Sequence, residues 1–262
     1  MNYEDEDLLL GLSGGINSMA LLCWLKESGV KPKSLHLYYA HFLEHSPDTF
    51  QFVADGIRYA RKHFDNVHVK ITKNSIIDFF GKQNIIPHPA NSPCSKKLKI
   101  DGINTYASLH GITIDLVGYV KHELKRRGNR QQKNMDKGLF SLRKDYPIGE
   151  FTDEWCFEIV KKELGWYPAL YDILFTEEDF LEGLCNQKDI GKRVFKHNNC
   201  LPCKNMSTME IKAIKKYFPA YYLEAIKLSA KLSKYWGRDK DQFYFSFGRD
   251  LGQDSTCGAC VF

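Results

Sequence analysis

The run Ser13-Gly14-Gly15-Ile16-Asn17-Ser18 places two adjacent glycines between hydroxyl and amide side chains. It follows an apolar stretch, Leu8-Leu9-Leu10-Gly11-Leu12, and precedes another, Met19-Ala20-Leu21-Leu22-Cys23-Trp24-Leu25. In a strand–loop–helix, such glycines let backbone N–H groups approach an anion closely, and the helix N-terminus adds its positive dipole end. Ser13 and Ser18 add hydroxyl donors, and Ser18 also suits a helix start. Ser-Gly-Gly by itself also fits an ordinary turn; its place between a strand and a buried helix points to phosphate binding.

Two further groups carry chemistry. Cys200-x-x-Cys203 and Cys257-x-x-Cys260 form a two-plus-two arrangement of the kind that holds Zn²⁺ or an iron–sulfur cluster. One of the pairs can instead be a reducible dithiol. Lys121, Lys125, Arg126, Arg127, Arg130, Lys133 and Lys137 crowd one stretch, interspersed with Gly128, Asn129, Gln131, Gln132 and Asn134. That stretch is either a solvated loop or a flap that neutralises an anion, a nucleotide phosphate or a nucleic-acid backbone. The histidines show no HExxH spacing, and His122 stands out only for its place after a strand. Cys23 and Cys156 lie in apolar helical segments and read as core. Phe151, Trp155, Trp166, Tyr167 and Tyr171 read as packing, as does the Tyr217–Tyr222 cluster, although aromatics there could also stack bases.

The elements that must position these groups follow from patterning. Leu8–Leu12, apolar on both faces, suits a buried parallel strand. Ser34–Tyr39, Val67–Ile71 and Ile112–Gly118 read as further strands, with helices over Thr49–Lys62 and Lys96–Leu109 between them. Strand–helix alternation implies a doubly wound parallel sheet, whose ligands bind beyond the carboxyl ends of the strands. After the basic stretch, Thr152–Leu164, Glu177–Cys185 and Met209–Tyr217 read as helices punctuated by Pro168, Pro202 and Pro219, with no strand alternation. The expected organisation is an α/β nucleotide-binding domain over residues 1–150 and a helical, cysteine-bearing, metal-binding region over 151–262.

Composition bounds the rest. The 262 residues are 43% hydrophobic and 26% charged, with a modest net charge of +5, as suits a soluble protein with a sizeable core. No apolar run approaches the ~20 residues of a membrane helix. The acidic start, Met1 to Asp7, lacks the basic segment of a secretion signal. A cytoplasmic location is expected, so the eight cysteines are read as metal or redox groups rather than disulfides.

The loop resembles the SGGxDS signature of the PP-loop ATP pyrophosphatase (adenine nucleotide alpha hydrolase) superfamily. The remaining motifs resemble its phosphoadenosine-phosphosulfate (PAPS) reductase-like branch. Phe42-Leu43-Glu44-His45-Ser46-Pro47-Asp48-Thr49 is similar to the branch's second-strand loop, and Cys94-Ser95-Lys96-Lys97-Leu98-Lys99 to its cysteine-x-x-x-leucine-lysine segment. Val117-Gly118-Tyr119-Val120-Lys121-His122-Glu123 with Arg126-Arg127 is similar to its LVGxRxxES…R element. Tyr146-Pro147-Ile148-Gly149-Glu150, Pro168-Ala169-Leu170-Tyr171 and Cys200-Leu201-Pro202-Cys203 follow in the expected order. The likeness spans Leu8 to Pro219. Asn17 departs from the signature's Asp, keeping size and hydrogen bonding but losing charge. Tyr119 stands where the branch often carries Arg, a loss that Lys121 or Arg126-Arg127 would offset.

The resemblance implies a PP-loop fold that uses ATP or a PAPS-type nucleotide (PAPS or APS), with Mg²⁺ as a companion ion. The nucleotide-binding residues it implies are Leu12, Ser13, Gly14, Gly15, Asn17 and Ser18, joined by Tyr39, Glu44, Gly118 and Tyr119. The catalytic set is Asn17, Lys121, Arg126 and Arg127. The metal ligands are Cys94, Cys200 and Cys203 with Cys257 or Cys260, for a [4Fe-4S] cluster; the alternative is Zn²⁺ on the two CxxC pairs with Cys94 free. Two chemistries stand within the family: sulfonucleotide reduction, and adenylation of an acceptor by ATP with sulfur transfer. For the second, the partners are a tRNA or DNA acceptor or a sulfur donor protein. The reductases' C-terminal Glu-Cys-Gly-Leu-His is only loosely echoed by Cys257-Gly258-Ala259-Cys260-Val261-Phe262. The competing class is a non-catalytic, metal-stapled nucleotide- or nucleic-acid-binding protein.

Overall fold

The computed structural model describes residues 3–85, 93–125, 142–201, 203 and 206–237. The chain divides into two compact units. Met1–His41, Pro47–Thr72 and Lys99–Pro168 form the first; Phe42–Ser46, Lys73–Leu98 and Ala169–Phe262 form the second. Among the described residues no helix is long and apolar enough to cross a membrane.

The strands are β1 (Asp7–Gly11), β2 (Ser34–Phe42), β3 (Val67–Asn74), β4 (Ile114–Leu116) and β5 (Arg143–Asp145), in one sheet of order β3-β2-β1-β4-β5. β1 runs parallel to β2 and β4, and β4 parallel to β5. The Leu35 N–H bonds the Asn66 carbonyl and the Leu43 N–H that of Asn74, a constant offset that makes β2 and β3 parallel too. Leu8, Leu9 and Leu10 are all 0% exposed, so alternating side chains are covered on both faces of the sheet. The architecture is thus the α/β parallel sheet expected. β5 was not expected: its Arg143-Lys144-Asp145 carries no apolar signal, and a three-residue edge strand needs none.

In the first unit, α1 (Ile16–Glu27) is buried on most of its circumference, which explains its nearly uniform apolar sequence. It packs against α2 (Thr49–His63) and α5 (Asp153–Leu164). Contact with α2 is close at Gly56, where an added Cβ would lie 2.5 Å from Met19. Glu163 ties the three helices, accepting from Lys26 Nζ at 2.9 Å and Tyr59 Oη at 2.5 Å. Burial raises its carboxyl pKa, but these bonds prevail and hold it below its ordinary value. Leu9, Tyr38, Ala107, Ile112 and Leu142 form a separate cluster that includes α4 (Asp101–Leu109). α5 starts where the sequence places it, with Thr152 Oγ1 accepting from the Trp155 N–H at 3.3 Å.

In the second unit, α3 (Ile76–Gln83) packs on α8 (Pro219–Trp236). α8, the longest helix there among the described residues, was not anticipated: Pro219 occupies its first turn, where proline starts a helix rather than ending one. α6 (Glu177–Leu181) and α7 (Thr208–Tyr217) each begin with a capping box, Thr176/Asp179 and Ser207/Glu210. Asp179, 0% exposed, also accepts from Lys216 Nζ at 2.9 Å and Tyr217 Oη at 2.9 Å. Pro93–Ser95 and the π-helical Lys96–Ile100 lead directly into α4, so the expected helix over 96–109 contains a widened first turn.

Candidate nucleotide site

The chain leaves β1 and turns at once into α1, while β4 lies on the other side of β1 from β2. The carboxyl ends of β1 and β4 therefore flank the point where the strand order reverses, the crevice where open α/β sheets bind ligands. Four local features shape it, all in the first unit.

The first is the loop. Leu12 is buried, its N–H bonding the Tyr38 carbonyl at 2.9 Å, which pins the loop's entry to β2. Gly14 has φ +78°, a left-handed conformation costly for any side chain bearing a Cβ. Gly15 is the N-cap of α1 and, being glycine, offers no side-chain cap to the helix's first turn. The two serines brace the turn: Ser18 Oγ accepts from the Ser13 N–H at 3.2 Å and lies 3.1 Å from Ser13 Oγ. Ser13 Oγ in turn accepts from the Gly15 N–H at 3.2 Å, while Ser18 Oγ donates to the Gly15 carbonyl at 3.0 Å. An exposed Ser13 at a glycine turn on a helix N-terminus can receive a phosphate.

The second is the passage after β4. A Cβ on Gly118 would stand 2.8 Å from the Asn17 carbonyl oxygen and 3.2 Å from the Ser18 nitrogen. The backbone of this passage thus lies directly on the first turn of α1, and only glycine permits it. Tyr119 is buried and stacks on Tyr146 with ring centroids 5.6 Å apart. Burial pushes the Tyr146 hydroxyl pKa above its ordinary value, with Tyr119 and Asp115 adding to the shift.

The third is Asn17. Its Nδ2 donates to Glu123 Oε2 at 3.1 Å, and its Oδ1 is buried without a partner among the described residues. Glu123 belongs to a helical turn, Lys121–Glu123, where Lys121 and His122 are exposed and Glu123 is 6% exposed. His122 Nδ1 lies 3.7 Å from Asp153 Oδ2. The sequence places Glu123 in a motif without a role; a partner 106 positions away in sequence leaves no local signal.

The fourth is Tyr39, 0% exposed near the carboxyl end of β2, whose Oη lies 3.0 Å from His41 Nδ1. Loop, Gly118, Tyr119, Asn17 and Lys121 therefore gather at the carboxyl ends of β1 and β4. Arg126 and Arg127 lie outside the described residues.

The remaining expected site residues belong to the second unit. Glu44 serves as a helix anchor: it accepts from Ser75 Oγ at 2.5 Å and from the N–H groups of Ile76 at 3.1 Å and Ile77 at 3.2 Å. A carboxylate at the first turn of α3 is favoured by the helix dipole. The Glu44 carbonyl also accepts from Leu201 N–H at 2.6 Å, and that of His45 from Tyr221 Oη at 2.9 Å. The Phe42–Ser46 segment thereby bonds to α3, α8 and Leu201.

Cys200 is buried and Cys203 partly buried, and neither they nor Cys23, Cys94, Cys156 or Cys185 form a disulfide. Among the described residues no three His, Cys, Asp or Glu side chains are grouped to hold a metal ion. Cys94 therefore does not join Cys200 and Cys203 in such a group. Cys257 and Cys260 lie outside the described residues.

Comparison with protein-family models and with curated proteins gives no match. Solved structures do resemble the chain. The phosphoadenylyl-sulfate (PAPS) reductase of Candida auris, in a phosphate complex, is 15% identical with TM-score 0.41, covering 63% of this chain and 76% of that one. The U34-tRNA thiolase NcsA of Methanococcus maripaludis, with its [4Fe-4S] cluster, is 13% identical with TM-score 0.44, covering 99% and 82%. The NMN synthetase of Francisella tularensis is 14% identical with TM-score 0.42, covering 85% and 87%.

Proposed function

We propose that this chain is an adenine-nucleotide enzyme of PAPS reductase-like type, which grips the nucleotide by its phosphates at Ser13–Ser18. The observation that carries the reading is the loop itself: Gly14 at φ +78°, directly between a buried parallel strand and an uncapped helix N-terminus, at the reversal of strand order. N–H groups there stabilise phosphate oxygens, and Lys121 with Arg126 and Arg127 adds positive charge as the leaving group departs. The reaction assigned is adenylation. An acceptor oxygen attacks the α-phosphorus of ATP, the bond to the bridging oxygen breaks, and pyrophosphate leaves, with Mg²⁺ when bound neutralising its charge. The acceptor is then open to sulfur transfer. The basic stretch from Lys121 to Lys137 favours a nucleic-acid acceptor, tRNA or DNA.

The pair Cys257 and Cys260 favours a second reading, reduction of PAPS. One thiolate attacks the sulfonate sulfur, the S–O bond breaks and the nucleotide leaves. The second thiolate then displaces sulfite and the two cysteines close a disulfide. Incubation with ATP and with PAPS separates the two: pyrophosphate release marks the first, sulfite release with loss of two thiols the second. Calorimetric binding of neither nucleotide would overturn both.

A further inference from the structure

We propose that Glu123 is a positioning residue for Asn17, its carboxylate fixing which way the Asn17 amide is turned. A carboxylate is an acceptor only, so it can face only the amide's nitrogen end. The 3.1 Å bond from Nδ2 to Glu123 Oε2 thus decides which way the Asn17 amide is turned. The consequence is the buried Oδ1 left without a partner among the described residues. It is an acceptor held beside a loop otherwise made of donors, and it meets a donor or cation that arrives with the nucleotide. That last clause rests on the proposed function; the pairing itself does not.

Burial strengthens the constraint. At 6% exposure the Glu123 carboxylate depends on hydrogen-bond donors around it, of which Asn17 Nδ2 is one. Among the described residues, charged and titratable groups nearby include Lys121 and His122 on the same turn, with Asp153 and Cys156 on α5. The Cys156 thiol pKa is pushed up by burial first and then by Asp153 and Glu123. Aspartate at position 17 would set two carboxylates in hydrogen-bond contact. Such a pair shares one proton and holds it above the ordinary carboxylate range. A carboxyl group whose folded pKa is raised contributes stability at low pH, and that stability is lost as pH rises through the raised value.

Melting of the full chain tests the pair without any ligand. Asn17→Asp should melt close to wild type at about pH 4, down in the unfolded carboxyl range, and several degrees lower at about pH 8. Adding Glu123→Gln should remove that pH dependence, because the glutamine amide donates to the introduced carboxylate. A deficit independent of pH, or untouched by Glu123→Gln, would overturn the pairing. Calorimetry with ATP tests the positioning. Glu123→Ala should weaken binding about tenfold and Glu123→Gln, which still accepts from Asn17, by less than about threefold. Equal affinities for Glu123→Ala and wild type, or Glu123→Gln as weak as Glu123→Ala, would overturn it. If wild type binds no nucleotide, the proposed function fails while the melting comparison still decides the pair.

Discussion

Gly118→Ala adds a single methyl at the point where the β4 passage meets α1. The backbone of Gly118 is not in the left-handed region, so alanine there is not strained on its own account. The cost is steric: its Cβ would lie 2.8 Å from the Asn17 carbonyl oxygen, 3.0 Å from that carbonyl carbon and 3.2 Å from the Ser18 nitrogen. All three atoms are backbone in the first turn of α1 and cannot swing aside. Restoring an ordinary contact of about 3.4 Å requires a relative shift of about 0.6 Å. Overpacking of this kind costs about 1–3 kcal/mol, equivalent to a fall in Tm of roughly 2–10 °C for a chain of this size. The same shift moves the N–H groups that would contact phosphate, so ATP affinity should fall about ten- to a hundredfold. Gly11→Ala is the control, since its Cβ would meet only Ile103 Cδ1 at 3.8 Å. Differential scanning fluorimetry and calorimetry on both variants read the two effects. Gly118→Ala binding ATP as wild type does, or Gly11→Ala proving equally harmful, would refute the placement of the β4 passage against the loop.

Further outcomes follow from other sites. His36 is 5% exposed, stacked on His68 and close to His110, and burial followed by these two rings lowers its pKa to about 4. Since the unfolded value is higher, its contribution is present above about pH 6.5 and is lost as pH falls toward 4; that loss is at most about 3 kcal/mol in urea unfolding and should be smaller in His36→Gln. Glu163→Ala strips Lys26 and Tyr59 of a shared acceptor between α1, α2 and α5 and should cost about 2–4 kcal/mol, measured by the same unfolding. For the cysteines, metal analysis after anaerobic purification should show that Cys200→Ser and Cys203→Ser lower bound zinc or iron, whereas Cys94→Ser leaves it unchanged, since Cys94 joins no three-ligand group among the described residues.

The parts of the fold that were legible in the sequence are those whose signal is local. Leu8-Leu9-Leu10 reads as a strand buried on both faces because each side chain is covered, and α5 is bracketed by the Thr152 cap at one end and Gly165 at the other. The glycine turn between β1 and α1 was legible because two glycines, two serines and a buried helix stand next to each other. β5 was not, because Arg143-Lys144-Asp145 is held by pairing with β4, and Lys144 finds Asp115 there, a partner remote in sequence. α8 was hidden by Pro219, whose meaning depends on whether a helix lies before or after it. Glu44 was legible as a motif residue, but its work at the N-terminus of α3 became visible only when Ser75, Ile76 and Ile77 came within reach. The Asn17–Glu123 bond belongs to the same class: each residue is ordinary alone, and the constraint exists only across the junction of two strand ends.

The central claim is that the Ser13–Ser18 backbone holds nucleotide phosphate. Gly14→Val tests it most directly, because a β-branched residue is disfavoured at φ +78° and its side chain would stand where the phosphate approaches. Titration of ATP into wild type and Gly14→Val by calorimetry, with circular dichroism to confirm that both are folded, gives the answer. Saturable binding by wild type and at least about a hundredfold loss in the folded variant is the predicted result. Equal affinity in the two proteins would contradict it and move the nucleotide site away from this loop.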